Sequence, residues 1–197
     1  ETADLFLVLI MQLLKDNGRA AVVLPDGFMF GDGIKSRIKE KLLTECNLHT
    51  IVRLPKGVFN PYTPIATNLL FFTKGTPTQQ VWFYEHQYPA GVKNYNKTRP
   101  MRIEEFAVEE AWWGSEADGF AARVENEFAW KVSIDELQAR NWNLDFKNPH
   151  IGEQISHDPD VLLHDYATLQ GEISDLRDQL KAVLAEALVS NKEERQV

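Results

Sequence analysis

One aromatic side chain in this sequence lies in a loop suited to holding a flat ligand. The loop spans residues 55–62, follows a strand predicted at 50–54 and reads PKGVFNPY, with Phe59 at its centre. Loops at strand ends are where open α/β sheets build ligand sites, and stacking of a base on an aromatic ring contributes about 1–3 kcal/mol. On residue type alone, packing of Phe59 back under its own loop is the simpler interpretation.

A second loop follows a strand predicted at 20–24 and begins Pro25-Asp26-Gly27. Proline- and glycine-rich loops of this kind, gathered along one edge of a sheet, are typical of ligand sites in α/β proteins. Gly27, Gly31 and Gly33 are spaced four and two residues apart, which does not match the GxGxxG spacing of dinucleotide sites. We therefore interpret them as loop glycines.

The composition restricts the kinds of site and partner. The net charge of −8 argues against a protein that binds nucleic acid alone, so any DNA contact requires a local basic patch or a larger assembly. The single cysteine, Cys46, excludes an internal disulfide, fits a reducing cytoplasm and is expected to be a small core residue on a helix. The five histidines lack the paired spacings of zinc ligands, so no metal site is predicted.

The apolar run at 5–14 is about ten residues long, which is too short to cross a bilayer, and it has no basic leader. It predicts a helix buried in a larger domain, and we expect the chain to start in the middle of a fold. The pattern then predicts a mixed α/β sheet whose last strands are antiparallel. The predicted helices are 2–16 and 33–46, and the predicted strands are 20–24, 50–54, 67–73 and 81–84.

Two details of this pattern are specific. Strand 20–24 is short and continuously apolar, which is typical of a central parallel strand covered on both faces. Helix 33–46 carries Ile34, Ile38 and Leu42 on one stripe, whereas its lysines lie elsewhere. Beyond residue 86 the sequence is less regular, with a strand predicted at 128–132 and a helix at 133–139 that Ser133 caps.

The last segment, 158–197, has a different character. Apolar residues alternate four and three positions apart, which is the a/d pattern of a coiled-coil seam. We expect a helix that docks on a helical partner, and packing back on its own domain is the alternative. The seam residues are Leu162, Tyr166, Leu169, Ile173, Leu176, Leu180 and Val183.

Four stretches together carry a resemblance to a known family: NGRAAVVLPDGFMFGDG, LPKGVFNPYTPIATNLLFFTKG, VWFYEH and ARNWNLDFKNPH. Residues 1–150 resemble the later part of the modification (HsdM) subunit of type I restriction-modification systems, a DNA adenine-N6 methyltransferase. The tail resembles that subunit's C-terminal helices, which dock on the DNA-specificity subunit. The resemblance implies a C-terminal fragment in which 1–85 is the distal half of a Rossmann-like class I methyltransferase sheet, 86–157 an irregular extension and 158–197 the docking tail.

The resemblance also implies a cytoplasmic enzyme that transfers a methyl group from S-adenosylmethionine to N6 of an adenine flipped out of DNA. Phe59 matches the aromatic residue that stacks on the flipped base. The loops with Pro25, Asp26, Gly27, Asn60 and Tyr62 would line the pocket edge. Lys93, Lys97, Arg99 and Arg102 lie within ten residues that contain no acid. They would contact phosphates, with a solvated hairpin as the alternative. DNA, the specificity subunit and the restriction subunit are the implied partners.

The sequence departs from the family in one respect. The family's glycine-rich cofactor loop and its Asn-Pro-Pro-aromatic loop precede the part matched here. Asn60-Pro61-Tyr62 lacks one proline and follows a late strand, so we reject it as the catalytic loop. We therefore expect no catalytic residue, no bound S-adenosylmethionine and no activity in this polypeptide alone, and an exposed sheet edge that favours oligomers. Two alternatives remain: a non-catalytic interaction module acting through its heptad helix, and a Rossmann-like methyltransferase acting on RNA or protein.

Overall fold

The computed structural model describes residues 2–150, 163 and 166–181. The chain divides into two compact units, Glu1–Ile151 and Gly152–Val197, and the first contains a five-stranded sheet of order β1-β3-β2-β4-β5. The helices of this unit are α1 (Thr2–Leu13), α2 (Asp26–Met29), α3 (Ile34–Glu45), α4 (Ala107–Trp112) and α5 (Ile134–Ala139), with 3₁₀ turns at Ile103–Phe106 and Glu116–Asp118. The strands are β1 (Arg19–Pro25), β2 (Cys46–Arg53), β3 (Thr67–Lys74), β4 (Gln80–Glu85) and β5 (Ala129–Ser133).

The sheet is mixed, as the sequence predicted. β3 lies between β1 and β2 and is antiparallel to both, so β1 and β2 run parallel to each other. β2 is also parallel to β4, and β5 closes the other side antiparallel to β4. The crossover through α3 explains this order, because a strand–helix–strand unit makes its two strands parallel. Here it leaves room between them for one antiparallel strand, β3.

The prediction of β1 as a central parallel strand was wrong for the described chain. β1 lies at one edge of the sheet, and its neighbour β3 is antiparallel. Its burial alternates: Leu24 is fully buried, whereas Val23 is 49% exposed. The reason is that only one face of this strand is covered, by the core that α1 and α3 pack against. A continuous apolar run does not by itself distinguish a strand with two covered faces from one with a single covered face.

The two faces of the sheet are covered differently. One face carries the main core, which α1 and α3 complete with Leu7, Met11, Leu42 and Leu43. The segment 101–128 contributes the aromatic side chains of a smaller cluster around Val52, Leu54 and Tyr84. Trp112, Trp113, Phe106 and Phe128 are part of that cover.

Three details of the predicted elements need correction or confirmation. Cys46 is buried as expected, but it is the first residue of β2 rather than part of α3. On α3, Leu42 is buried and Ile38 packs against the core as predicted, but Ile34 is 76% exposed and Lys39 is fully buried. The predicted cap of α5 is confirmed, because the Ser133 hydroxyl accepts a hydrogen bond from the Glu136 amide.

The tail is helical over 166–181. All the seam residues within this range are exposed on the chain, namely Tyr166, Leu169, Ile173, Leu176 and Leu180. Leu162 and Val183, which the sequence also assigned to the seam, lie outside the described residues. None of the helices in the described part of the chain is long and apolar enough to cross a membrane.

Candidate functional site

The candidate site is built on one edge of the sheet, where β1, β2 and β4 all end. Leu24 and Arg53 flank the same β3 residue, Asn68, and Glu85 lies opposite Arg53. The chain segments that follow this row of residues therefore emerge side by side. They are the loop after β1, the loop 55–62 after β2 and the segment that begins with His86 after β4.

The loop 55–62 is held in place by the segment 88–95. A Cβ atom at Gly57 would lie 2.2 Å from Asn94 Oδ1, and Gly57 has φ +82°, so this position requires glycine. The Asn60 amide donates to the Tyr95 carbonyl at 3.3 Å, and the Tyr88 hydroxyl donates to the Lys56 carbonyl at 2.6 Å. Support on two sides fixes the loop conformation.

The two aromatic side chains of this loop, Phe59 and Tyr62, are exposed to different extents. Phe59 is 40% exposed, so it does not pack fully under its own loop, and Tyr62 is almost entirely exposed. The Phe59 carbonyl accepts hydrogen bonds from the amides of Tyr62 and Thr63, which forms a tight turn directly after the ring. The loop thus presents Phe59 from a backbone that its own hydrogen bonds constrain.

The loop after β1 is joined to the same edge through Asn68. Asn68 is buried, and its amide donates to Asp26 Oδ1 at 2.7 Å, while the Asp26 amide donates to the Ala66 carbonyl. Pro25 ends β1, and Asp26 and Gly27 open the short helix α2 rather than an open loop. The structure therefore brings Asp26 next to the start of β3, which lies between the two predicted loops.

A further segment of the chain ties the edge together. We call residues 141–148 the strap. The Arg53 guanidinium forms an ion pair with Asp145 at 2.9 Å and donates to the Phe146 carbonyl at 2.7 Å. The Asn148 amide donates to Glu85 at 3.1 Å, and the Leu144 amide donates to the Met29 carbonyl at 3.0 Å. The strap thus contacts the ends of β2 and β4 and the helix α2.

Sequence reasoning missed Asn68, Arg53 and Asp145 as parts of this edge. The available signal was a polar residue inside or at the end of an otherwise apolar strand, as at Asn68 in TNLLFF. A buried polar side chain needs hydrogen-bond partners, so such a residue indicates a specific contact. The identity of that contact depends on strand order, which the sequence pattern did not give.

The predicted basic residues lie within or just after the segment 88–95 that supports loop 55–62. Lys93, Lys97 and Arg99 are exposed, and Asn96 pairs with Arg99 in a tight hairpin. Arg102 lines a cleft of about 550 Å³ together with Tyr84, Tyr88 and Val108. Tyr95 is the buried anchor between these cations. Burial and its hydrogen bond to Glu105 raise the pKa of the Tyr95 hydroxyl.

On the aromatic-covered face, a buried arginine holds the cover in place. The Arg123 guanidinium lies 3.7 Å from the ring centre of Phe120 and 4.6 Å from that of Trp112. It donates to the Trp113 carbonyl at 2.7 Å and to the Thr50 hydroxyl at 2.9 Å. Burial lowers the pKa of Arg123 to about 10. A second link, the buried pair of His86 and Glu109, joins the end of β4 to α4.

The described residues at this edge supply aromatic and hydrogen-bonding side chains. Within the described ranges, no group of three or more His, Cys, Asp or Glu side chains is placed to hold a metal ion. In the loop with Gly27, Gly31 and Gly33, the chain itself fills the space at Gly31, whereas nothing lies within 4 Å of a Cβ placed at Gly33. A Cβ at Gly31 would lie 2.4 Å from Lys35 Cδ, and Lys35 donates to the Gly27 carbonyl. The position of Gly31 is therefore not open to a cofactor.

Comparison with known proteins gives a consistent family. A family model described as N-6 DNA Methylase matches residues 1–158. The methylase subunit of the type I restriction enzyme EcoEI from Escherichia coli is 67% identical over 192 residues, which is 98% of this chain and 39% of that subunit. This chain thus spans about two fifths of the length of that relative.

Solved structures agree with the sequence comparison. A modification subunit of a putative type I restriction enzyme from Vibrio vulnificus matches with a TM-score of 0.70 and 48% identity, over 80% of this chain and 34% of that one. A chain from a study of complex assembly and conformational transition of the type I R-M system matches with a TM-score of 0.71 and 32% identity. That match covers 94% of this chain and 40% of that one. The protein therefore belongs to the N-6 DNA methylase family, among relatives that are modification subunits of type I restriction enzymes.

Proposed function

We propose that this chain is the target-base half of a type I modification methyltransferase, which transfers a methyl group from S-adenosylmethionine to adenine N6 in DNA. In this proposal the described residues hold the extruded base, and the residues that bind the methyl donor lie elsewhere in the longer protein. The chain alone would then be inactive. The proposal rests on one observation: the partly exposed ring of Phe59 at the edge where β1, β2 and β4 end.

The structure supports this role for Phe59 in two ways. First, the loop is constrained by Gly57, Tyr88 and Tyr95, so the ring is presented without a large ordering cost on binding. Second, an extruded base needs a flat apolar surface, and stacking on one ring contributes about 1–3 kcal/mol. Pro25, Asp26, Gly27, Asn60 and Tyr62 would surround the base as the rim of the pocket.

Charge supports DNA as the substrate only locally. The chain carries a net charge of −8, so contact with phosphates must come from a patch. We assign Lys93, Lys97, Arg99 and Arg102 to that patch, because they are exposed within or just after the segment 88–95 that supports loop 55–62. The rest of the affinity for DNA would come from the assembled complex.

S-adenosylmethionine would supply the electrophilic methyl group in the complete enzyme. In this proposal it binds elsewhere in the longer protein and not at the glycine-bearing loop after β1, where Lys35 and Lys39 bind the carbonyls of Gly27, Met29 and Gly31. The contribution of this chain is thus the position of the adenine ring. We also place the enzyme in the cytoplasm, since its single cysteine is free and buried.

The tail helix would join the chain to the specificity subunit. Its seam residues Tyr166, Leu169, Ile173, Leu176 and Leu180 are exposed at the 4–3 spacing that helical partners pack into. The restriction subunit would associate through the same complex. The alternative of a non-catalytic interaction module rests on the same seam. An experiment must therefore distinguish this module from a methyltransferase subunit.

The test uses the full-length subunit assembled with its partners and a duplex that contains its recognition site. Phe59→Ala should lower kcat/KM for DNA by about 5- to 150-fold, the range that base stacking supplies, with the affinity for S-adenosylmethionine unchanged. Phe59→Tyr should retain most activity because the ring remains. Methylation by Phe59→Ala equal to that of the parent would remove Phe59 from the site.

Deletion of 158–197 is the second arm of this experiment. A methyltransferase subunit should keep its cofactor affinity and lose assembly with the specificity subunit. If the parent complex binds its partners but methylates neither DNA, RNA nor protein, the chain is an interaction module. Methylation of RNA or protein instead of DNA would support the other alternative.

A further inference from the structure

A cleft at the end of β4 has a chemistry that the proposed function does not use. Its volume is about 550 Å³. It lies between the residues that end and follow β4, 84–89, and the segment 102–109, which contains a 3₁₀ turn and the start of α4. β2 and β3 separate β4 from the free edge at β1, so a strand added at that edge by the longer protein would not fill this cleft.

The lining of the cleft is acidic. Four carboxylates line it, those of Glu85, Glu104, Glu105 and Glu109, against the single guanidinium of Arg102. Among the described residues Arg102 forms no ion pair with any of them. A cleft lined mainly by one sign of charge concentrates ions of the opposite sign, so this one attracts cations and repels phosphates.

One residue of the lining is a buried histidine with an unpartnered ring nitrogen. His86 is 3% exposed, its Nδ1 is hydrogen bonded to Glu109, and its ring stacks on that of Phe106 at 4.5 Å. These two contacts fix the orientation of the ring. Nε2 is buried, and no described residue gives it a hydrogen-bond partner. Because buried polar atoms are normally satisfied, this nitrogen indicates a partner that the described chain does not supply.

The hydrogen bond at Nδ1 determines what kind of partner Nε2 requires. When Nδ1–H donates to the Glu109 carboxylate, the neutral ring carries its lone pair on Nε2. The partner must then be a hydrogen-bond donor. Carboxylates are acceptors as well, and Glu104 makes no hydrogen bond or ion pair of its own within the described residues. The cleft therefore fits a ligand that is positively charged and rich in N–H donors.

The size and the walls of the cleft favour an organic cation. Within the part of the chain that the structure describes, no group of three or more His, Cys, Asp or Glu side chains is placed to hold a metal ion. Two aromatic side chains, Tyr84 and Tyr88, line the cleft beside the carboxylates. Aromatic rings attract ammonium and guanidinium groups through their faces. Acidic and aromatic side chains together thus suit such a group better than an inorganic ion.

We propose that this cleft binds a cationic nitrogen group, a guanidinium or an amine, which donates a hydrogen bond to His86 Nε2 and pairs with Glu104. An arginine side chain of a partner protein and a free polyamine both carry this chemistry. The cleft binds its ligand without a covalent step. The inference does not depend on the proposed function, because none of its contacts involves the base, the methyl donor or Phe59.

The test titrates the full-length subunit with N-acetyl-L-arginine amide, with spermidine and with inorganic phosphate. The readouts are the dissociation constants, the thermal midpoint and the nitrogen chemical shift of His86 Nε2 in protein with labelled histidine. His86→Asn keeps a donor for Glu109 and removes Nε2. Glu104→Gln removes one carboxylate of the cleft. Its matched control is Glu110→Gln, which removes the same charge from an exposed position on α4 outside the cleft lining.

The parent should bind at least one of the two organic cations saturably, with a change in the Nε2 shift that follows occupancy. His86→Asn should weaken binding by about 10- to 150-fold, the range of a hydrogen bond to a charged group. Glu104→Gln should weaken it by about 1.5- to 5-fold, the range of an exposed ion pair, and Glu110→Gln should bind as the parent does. Tighter binding of the arginine derivative would identify a protein side chain as the source, and tighter binding of spermidine a free polyamine.

Three results would overturn the inference. The first is that neither cation binds saturably, or that binding leaves the Nε2 shift unchanged. The second is binding of phosphate in place of the cations, which would show an anion site at Arg102. The third is an equal loss in Glu104→Gln and Glu110→Gln, which would show unspecific attraction to an acidic surface. If His86→Asn lowers the thermal midpoint, the Nε2 shift of the parent and the glutamate pair still decide the question. None of these results bears on DNA methylation, so the proposed function stands or falls separately.

Discussion

Two regions of the molecule are each organised around a buried cation, and they stabilise it in different ways. Lys39 lies under the loop after β1 and donates to two carbonyls. Arg123 lies under the aromatic cover on the other face and is surrounded by the rings of Phe120, Trp112 and Trp113. Within the described residues neither cation forms a salt bridge.

The difference follows from the chemistry of the two groups. An ammonium is a compact charge that needs directional acceptors, and it can lose its proton when buried. Burial lowers the pKa of Lys39 to about 8. A guanidinium is planar, so it can lie against ring faces, and it keeps its charge at neutral pH. Lys39 thus fixes a backbone turn, whereas Arg123 fixes a cluster of side chains.

The largest expected effect is at Arg123. Arg123→Ala should lower the free energy of unfolding by about 3–5 kcal/mol, because it leaves a cavity between three rings and removes the donor to the Trp113 carbonyl. Urea denaturation of this chain measures it. The matched control is Arg140→Ala, whose guanidinium lies 4.2 Å from the Phe146 ring on the surface and should cost at most about 1 kcal/mol. Equal losses in the two variants would contradict the caged role of Arg123.

The second prediction concerns the pH dependence of stability in the region around Arg123. Burial, together with Arg123 and Arg19 and against the opposing effect of Glu116, lowers the pKa of His49 to about 4 from 6.5. Between pH 4 and 6.5 the unfolded chain then binds a proton that the folded chain does not, so stability falls as the pH drops through this window. The shift corresponds to about 3 kcal/mol. His49→Gln should remove this part of the loss of stability at acid pH. The measurement is the free energy of unfolding of parent and variant across this pH range. Curves that run parallel for the two proteins would contradict the lowered pKa.

The smallest effect is expected at Lys39. Lys39→Met keeps the volume but leaves two carbonyls without a donor, and it relieves the buried charge, so a net loss of about 1–2 kcal/mol is expected at pH 7. The folded pKa of about 8 lies below the ordinary 10.5, so the parent gains stability as the pH rises between these values. The gap between parent and variant should therefore widen with pH. Lys41→Met is the control, because Lys41 forms only a surface pair with Glu45; a gap that stays constant with pH would contradict the lowered pKa.

Local sequence patterns predict part of this fold and miss the rest. The strands, α3 and the Ser133 cap follow from local periodicity and capping residues, which act within a few positions along the chain. The position of β1 at an edge and the burial of Lys39 depend on strand order and on carbonyls eight to ten residues away. No local pattern encodes those contacts, so the predicted stripe of α3 included the exposed Ile34 beside Ile38 and Leu42 and left out the buried Lys39.

The candidate site also has parts that the sequence predicts and parts that it does not. Phe59 and the loop after β1 could be selected from residue types and from the family resemblance. The strap could not, because Arg53 meets Asp145 across 92 positions of sequence and nothing local marks either residue as a partner. Asn141 and Trp142 adopt positive φ angles of 52° and 60° at the start of the strap, a conformation that tertiary contacts must hold in non-glycine residues.

The proposed function requires that the edge of the sheet beyond β1 and β2 holds the extruded base. The most direct measurement is photocrosslinking of the complete enzyme to a duplex that carries 5-iodouracil at the target position, followed by tryptic peptide mapping. A base held at Phe59 should give a crosslink in peptide 57–74, at Phe59. Crosslinks confined to peptides outside 57–74 and 20–35 would contradict it.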